Sequence, residues 1–265
     1  TFYGLLETVR SVGGVIGALN VGASDLSRAF ADLKAGLESP LHGMATALSE
    51  QMTQSAAHGL AFEDRLGLLV EHEVLYRDNR RLTRLLQLAQ LKVRASLEDV
   101  DFRSPRGLDR AQFASFGSCD WIRSAQNLLM HGATGVGKTW LACALANQAC
   151  RQGLSALYVR APRLFEELNL CHADGSFRKR LAAIAKTHLL IIDDFAILPM
   201  GPRERADLLE LLDDRVGTRS ALITSQLPIA NWHDCIGDPT LADAIMDRLV
   251  HGSHKIRLGG ETMRN

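Results

Sequence analysis

The chain has 265 residues, 46% of them hydrophobic and 23% charged, with aromatics at 6%, which supplies apolar side chains for a core and excludes a disordered, highly charged chain. Lys+Arg and Asp+Glu number 30 each, so no global field draws the protein to nucleic acid or membrane, and any such binding must come from local patches. The five cysteines contain no C-x-x-C pair and read as reduced thiols of a cytoplasmic protein, while the sequence shows no signal peptide and no apolar run of the ~18 residues a membrane span needs.

Residues 1–40 are rich in Gly, Ala, Leu and Val and almost free of Lys. The strings GLLETV from Gly4, GGVIG from Gly13 and LKAGL from Leu33 resemble part of the MotA/TolQ/ExbB proton-channel family, in which small residues would let membrane helices approach closely. The apolar run over residues 12–19 is too short to cross a bilayer alone. A recombined or misjoined upstream segment accounts for the mismatch, and residues 1–40 are assigned no function. Thr1 in place of Met is what a fragment or a processed chain would show.

From residue 41 to about 104 the pattern becomes that of amphipathic helices. Leu66, Leu69, Val70 and Leu75, then Leu82, Leu85, Leu86 and Leu88, recur at three-to-four spacing, giving one buried face per helix in a small accessory domain of two or three helices. Arg77, Arg80, Arg81 and Arg84 share a broad helical face, with Lys92 and Arg94 beyond, and could meet nucleic-acid phosphates unless Glu71, Glu73 and Asp78 offset them. Pro105 and Gly107 break the helical pattern, which places a domain junction there and a second domain over 105–265. In that second domain the short apolar runs at 128–130, 156–159, 189–192, 221–224 and 254–258 alternate with helical stretches. The expected fold class is α/β, a mainly parallel sheet flanked by helices, with the helical domain attached at its N-terminal side.

Residues 132–139 read Gly132, Ala133, Thr134, Gly135, Val136, Gly137, Lys138, Thr139, a complete G-x-x-x-x-G-K-[ST] motif between an expected strand and an expected helix. The glycines allow successive backbone N–H groups to turn toward a phosphate, and the helix N-terminus adds positive partial charge. Lys138 is expected at the β- and γ-phosphates of ATP and Thr139 as a ligand of Mg²⁺. The apolar run LLII ends in Asp193 and Asp194, a Walker B pattern. Asp193 is expected to hold Mg²⁺ or its waters, and Asp194 to orient or deprotonate the attacking water, with Asp in place of the commoner Glu making ATP binding a firmer expectation than fast turnover. The histidines form no H-E-x-x-H and no Cys/His cluster. Trp121, just before the first strand, is expected in the core or, failing that, near the adenine.

The run QNLLMHGATGVGKTWLACALANQACRQG, followed by LYVRAPRLFEEL, LLIIDDF, LLELLDDR, SALITSQLP and GDPTLADAIMDRLVHGSHKI, resembles the IstB-like ATPases, relatives of the DnaC-type helicase loaders. The resemblance covers residues 41–265. It implies an AAA+ P-loop NTPase core, ATP hydrolysis with Mg²⁺, a homo-oligomer, action on double-stranded DNA, and a partner transposase. It also implies that Gln226, sharing the assignment with Ser225, is the polar sensor at the end of the fourth strand, and that Arg248 is the arginine finger completing a neighbouring subunit's site, unless it pairs with Asp243 or Asp247. Arg178, Lys179, Arg180 and Lys186 match the region that lines the oligomer's inner surface in AAA+ relatives. The terminal GGETMRN departs from a GESMR-like ending, with Arg264 as a candidate sensor, and no helical lid is expected after the last strand. Three alternatives stay open: a helicase loader, a non-hydrolysing ATP-gated DNA scaffold, and a small-molecule P-loop kinase.

Overall fold

Five short runs form strands; the three central ones are apolar and buried at consecutive positions, whereas the two at the sheet edges alternate buried with more exposed residues. The computed structural model describes residues 41–53 and 59–263; the channel-like strings of residues 1–40 and Arg264 lie outside them. Among the described residues no helix is long and apolar enough to cross a membrane.

The chain divides into two compact units after Arg80. In the first, α1 (His42–Thr53) packs with the beginning of α2 (Phe62–Ala89). The division falls upstream of the Pro105 break because Leu82, Leu85, Leu86 and Ala89 at the end of α2 belong to the core of the second unit.

In the second unit, short helices α3 (Arg110–Ser115) and α4 (Asp120–Arg123) lead into β1 (Leu128–Gly132), α5 (Lys138–Arg151), β2 (Ala156–Arg160), α6 (Ala161–Asp174) and α7 (Phe177–Ala185). Then follow β3 (Leu189–Phe195), α8 (Pro202–Asp213), β4 (Ser220–Ser225), α9 (Trp232–Ile236), α10 (Pro239–Val250) and β5 (His254–Leu258). The strands pair in the order β2-β3-β4-β1-β5, every pair parallel. Alternation along the strands feeds two cores. Leu128, Met130, Leu189 and Ile191 pack under α5, whereas Leu129, Leu190 and Ile192 pack under α6, α8 and α10. Small residues let α5 lie close on the sheet, since Ala142, Cys143, Ala144 and Ala146 are all fully buried. Helix starts follow local chemistry. Pro239 opens α10 behind Asp238, whose carboxylate accepts from Leu241 N at 3.0 Å. With all strands parallel, their carboxyl ends share one edge, and that edge carries the site.

Candidate functional site

The loop joining β1 to α5 runs over residues 133–137, directly after Gly132 at the end of the strand. Gly135 and Gly137 adopt φ of +90° and +92°, and a Cβ on Gly132 would lie 2.0 Å from Leu258 O. Gly132 has a φ of +154°, so all three positions need glycine for conformation and the first for packing as well. Lys138 is buried, and its Nζ donates to Gly132 O at 2.7 Å and Ala133 O at 2.8 Å, so the ammonium lies across the mouth of the loop.

Asp193, on β3, is 1% exposed and is the acceptor on which two neighbouring strands and a helix converge. Thr139 Oγ1 donates to its carboxylate at 3.0 Å from both oxygens, Tyr158 OH from β2 at 2.6 Å, and Thr224 Oγ1 from β4 as well. These donors satisfy a buried carboxylate that would otherwise be costly. Burial, then the bond to Asp193, pushes the Tyr158 phenol well above its usual range, so Tyr158 acts as a neutral donor.

The β3–β4 register shifts between Ile192 and Phe195, and Asp194 takes a φ of +57°. A regular strand would send these two side chains to opposite faces, whereas this irregularity keeps Asp194 on the cavity side beside the buried Asp193 and returns Phe195 to the core under α6, α8 and α10. Arg160, at the end of β2, donates through Nε to Asp194 Oδ2 at 2.8 Å. Gln226 accepts from Thr134 of the loop at 2.7 Å. Ser225, by contrast, is buried and braces backbone, donating to Phe195 O at 2.7 Å and accepting from Leu227 N at 3.1 Å. Of the two sensor candidates, the one beside the glycine-rich loop is Gln226.

A cavity of about 430 Å³ opens here, lined by Thr134, Gly135, Gly137, Lys138, Thr139, Asp194 and Gln226 and, from outside the motifs, by Lys92, Val93, Asp99, Asp101, Arg106, Trp140 and Met263. Tyr158, Arg160, Thr224 and Arg106 were not found by sequence reasoning. The only available signal was polarity, a Thr and a Tyr inside otherwise apolar strands. Trp121 is a core residue, 4% exposed, with Nε1 donating to Phe116 O at 3.2 Å.

Arg248 is not part of this cavity. Its Nε donates to Asp213 at the end of α8, rather than to Asp243 or Asp247, and its Nη1 to Ala244 O at 2.8 Å. Its carbonyl accepts from Asn127, immediately before β1, at 2.9 Å. Arg248 thus sits at the amino edge of the sheet, separated from the loop by the five residues of β1, roughly 16 Å of extended chain. In the basic patches, Arg77 pairs with Glu73 at 2.7 Å, Arg81 donates to Gly153 O at 3.0 Å, and Arg180 pairs with Glu167 at 2.7 Å. Arg178, Lys179 and Lys186 are exposed around α7, and Lys92 lines the cavity.

A profile of the family described as IstB-like ATP binding protein matches residues 35–265. An insertion-sequence ATP-binding protein of Sinorhizobium fredii is 49% identical over 224 residues, 84% of this chain and 91% of the relative. The ATP-binding protein of insertion sequence IS1162 from Pseudomonas fluorescens is 54% identical over 189 residues, 71% of this chain and 82% of the relative. Among solved structures, the DnaC helicase loader superposes with a TM-score of 0.55 at 18% identity, covering 62% of this chain and 96% of that one, a likeness of fold alone.

Proposed function

The chain belongs to the IstB-like ATP-binding protein family, and from that premise we propose that it is a cytoplasmic, oligomeric ATPase that engages double-stranded DNA on behalf of an insertion-sequence transposase. The fold is that of the AAA+ P-loop proteins. The observation that carries the reading is the convergence of Lys138, Thr139 and Asp193 at the carboxyl edge of a parallel sheet.

In this reading the backbone N–H groups of residues 132–137 and the Lys138 ammonium hold the β- and γ-phosphates. The Thr139 hydroxyl and the Asp193 carboxylate are hard oxygen donors already at 3.0 Å from one another, a donor set that suits Mg²⁺. When bound there, that ion supplies neutralisation of phosphate charge. Asp194 faces the cavity and orients or deprotonates water. Gln226, tied to Thr134, senses the γ-phosphate end, and Arg248 of one subunit serves the site of the next. Arg178, Lys179 and Lys186 supply phosphate contacts to DNA, which gives weak sequence preference and strong salt dependence.

The test is ATP hydrolysis by the purified protein with and without duplex DNA, at low and moderate salt, beside a Lys138→Ala control. DNA-stimulated turnover that the control abolishes is the expected result. ATP binding without turnover under any condition would instead make the protein an ATP-gated DNA scaffold, a reading favoured by the Arg160–Asp194 pair, which occupies the hydrolytic carboxylate.

A further inference from the structure

Arg106 is the least expected member of the cavity wall. It lies in the irregular stretch between α2 and α3, at the helix break formed by Pro105 and Gly107, yet it is 4% exposed. Its Nη2 donates to Asp101 O at 2.7 Å and its Nη1 to Val136 O in the glycine-rich loop at 3.4 Å, while its Nε is buried without an acceptor. The guanidinium also lies against Gly137, whose added Cβ would meet Nη1 at 2.7 Å. Among the described residues it makes no ion pair. The nearest carboxylate, Asp101, is spent on Arg103 N at 2.8 Å and Ser104 Oγ at 2.6 Å. A buried cation that makes no ion pair is unfavourable, and burial lowers the pKa of this guanidinium, with the charge of Asp101 opposing the shift.

Arg215 provides the contrast. It too is buried, makes no ion pair among the described residues and has an Nε without an acceptor, but it donates to the carbonyls of Ile184, Ala185, Thr187 and Ser220 and is absent from the cavity wall. Its arrangement is that of a structural tie. Arg106 has half as many carbonyl partners, one of them long, and faces the cavity that Lys138 and Thr139 line.

We propose that Arg106 is a nucleotide-binding residue, the counter-ion of its buried charge being the phosphate chain of the bound nucleotide. The inference rests on the ATP-binding reading above. Lys138 holds the start of the loop through Gly132 and Ala133, and Arg106 holds its end through Val136, so two cations bracket one anion. The segment ahead of β1 is thereby coupled to occupancy of the loop.

The consequence has opposite signs for stability and binding. Arg106→Met keeps the packing volume and removes a buried charge that makes no ion pair. The nucleotide-free protein should therefore melt at the wild-type temperature or above it, while MgADP and MgATP should each bind about tenfold more weakly, one charge-assisted hydrogen bond's worth. Titration calorimetry and thermal melts with and without nucleotide read both effects. Wild-type affinity in Arg106→Met overturns the proposal, whatever its melting temperature, and makes Arg106 a structural tie like Arg215. If the Met variant does not fold, Arg106→Gln, which keeps hydrogen-bond donors but not charge, is expected to show the same weakening, and wild-type affinity there overturns the proposal equally. Wild-type protein that binds neither nucleotide would sink the ATP-binding reading itself, a result distinguishable from failure of the Arg106 inference.

Discussion

At the scale of single residues, the two adjacent carboxylates of β3 have separate work because the chain turns between them. Asp193 is consumed by three hydroxyls, whereas Asp194 has one ion-pair partner, Arg160, itself half exposed. Tyr158→Phe removes one donor from a buried carboxylate without changing shape. A loss of roughly 1–3 kcal/mol is expected, read as a lower melting temperature with ATP affinity retained, and an unchanged melting temperature would mean that solvent replaces the phenol. Arg160→Ala frees Asp194 from a cation that restrains it. Basal ATP turnover should rise a few-fold over wild type, whereas Asp194→Asn should lose about 10²-fold or more while still binding ATP. Turnover that falls in Arg160→Ala would show that the arginine positions the carboxylate instead of restraining it.

Among the elements, the pairing of α1 with α2 depends on one acid that sequence reasoning took for a surface charge. Glu73 is 2% exposed and accepts from Gly43 N at 2.8 Å, Met44 N at 3.1 Å and Arg77 Nε at 2.7 Å, so it satisfies the first free N–H groups of α1 from a neighbouring helix. Gly43 permits the approach, since its Cβ would lie 2.7 Å from Tyr76 Cβ. Gly43→Ala must push the helices apart and should lower the stability of this pair despite alanine's better helix propensity. Faster limited proteolysis within residues 41–80, with ATP affinity unchanged, is the expected signature, and wild-type proteolysis would show that the close approach contributes nothing. The periodicity of Leu66, Leu69 and Val70 made these helices legible, although Leu75 and Leu88, expected on the same buried faces, are exposed, and the contiguous run 132–139 made the phosphate loop legible, because both signals are local. Tyr158, Arg160 and Thr224 were not legible, because they meet the carboxylates only through strand register, with Arg160 opposite Asp193 and Phe195 opposite Ser225. Arg106 and Glu73 were missed for a related reason. Polar residues are mostly exposed, and only tertiary packing marks the buried exceptions.

For the whole molecule, the parallel topology sets which site Arg248 can serve. The loop lies at the carboxyl edge of β1, and Arg248 is anchored through Asn127 at the amino edge. No side chain spans that distance, so Arg248 has no route to the phosphates of its own chain. If it acts in catalysis it acts in trans, and the active species has at least two subunits, with the Arg248–Asp213 pair giving way to the neighbour's nucleotide. This makes a mixing experiment decisive. Lys138→Ala keeps Arg248 but cannot use its own loop, whereas Arg248→Ala keeps the loop but offers no finger. Each should be inactive alone, and a mixture should regain ATPase activity, because some interfaces then join an intact loop to an intact arginine. With random assembly such interfaces are about a quarter of the total in an equimolar mixture, so recovery should approach that share of wild-type turnover if the interfaces work independently. A mixture no more active than the separate variants, although size measurements show that they co-assemble, would remove Arg248 from the catalytic unit and leave it as the surface partner of Asp213.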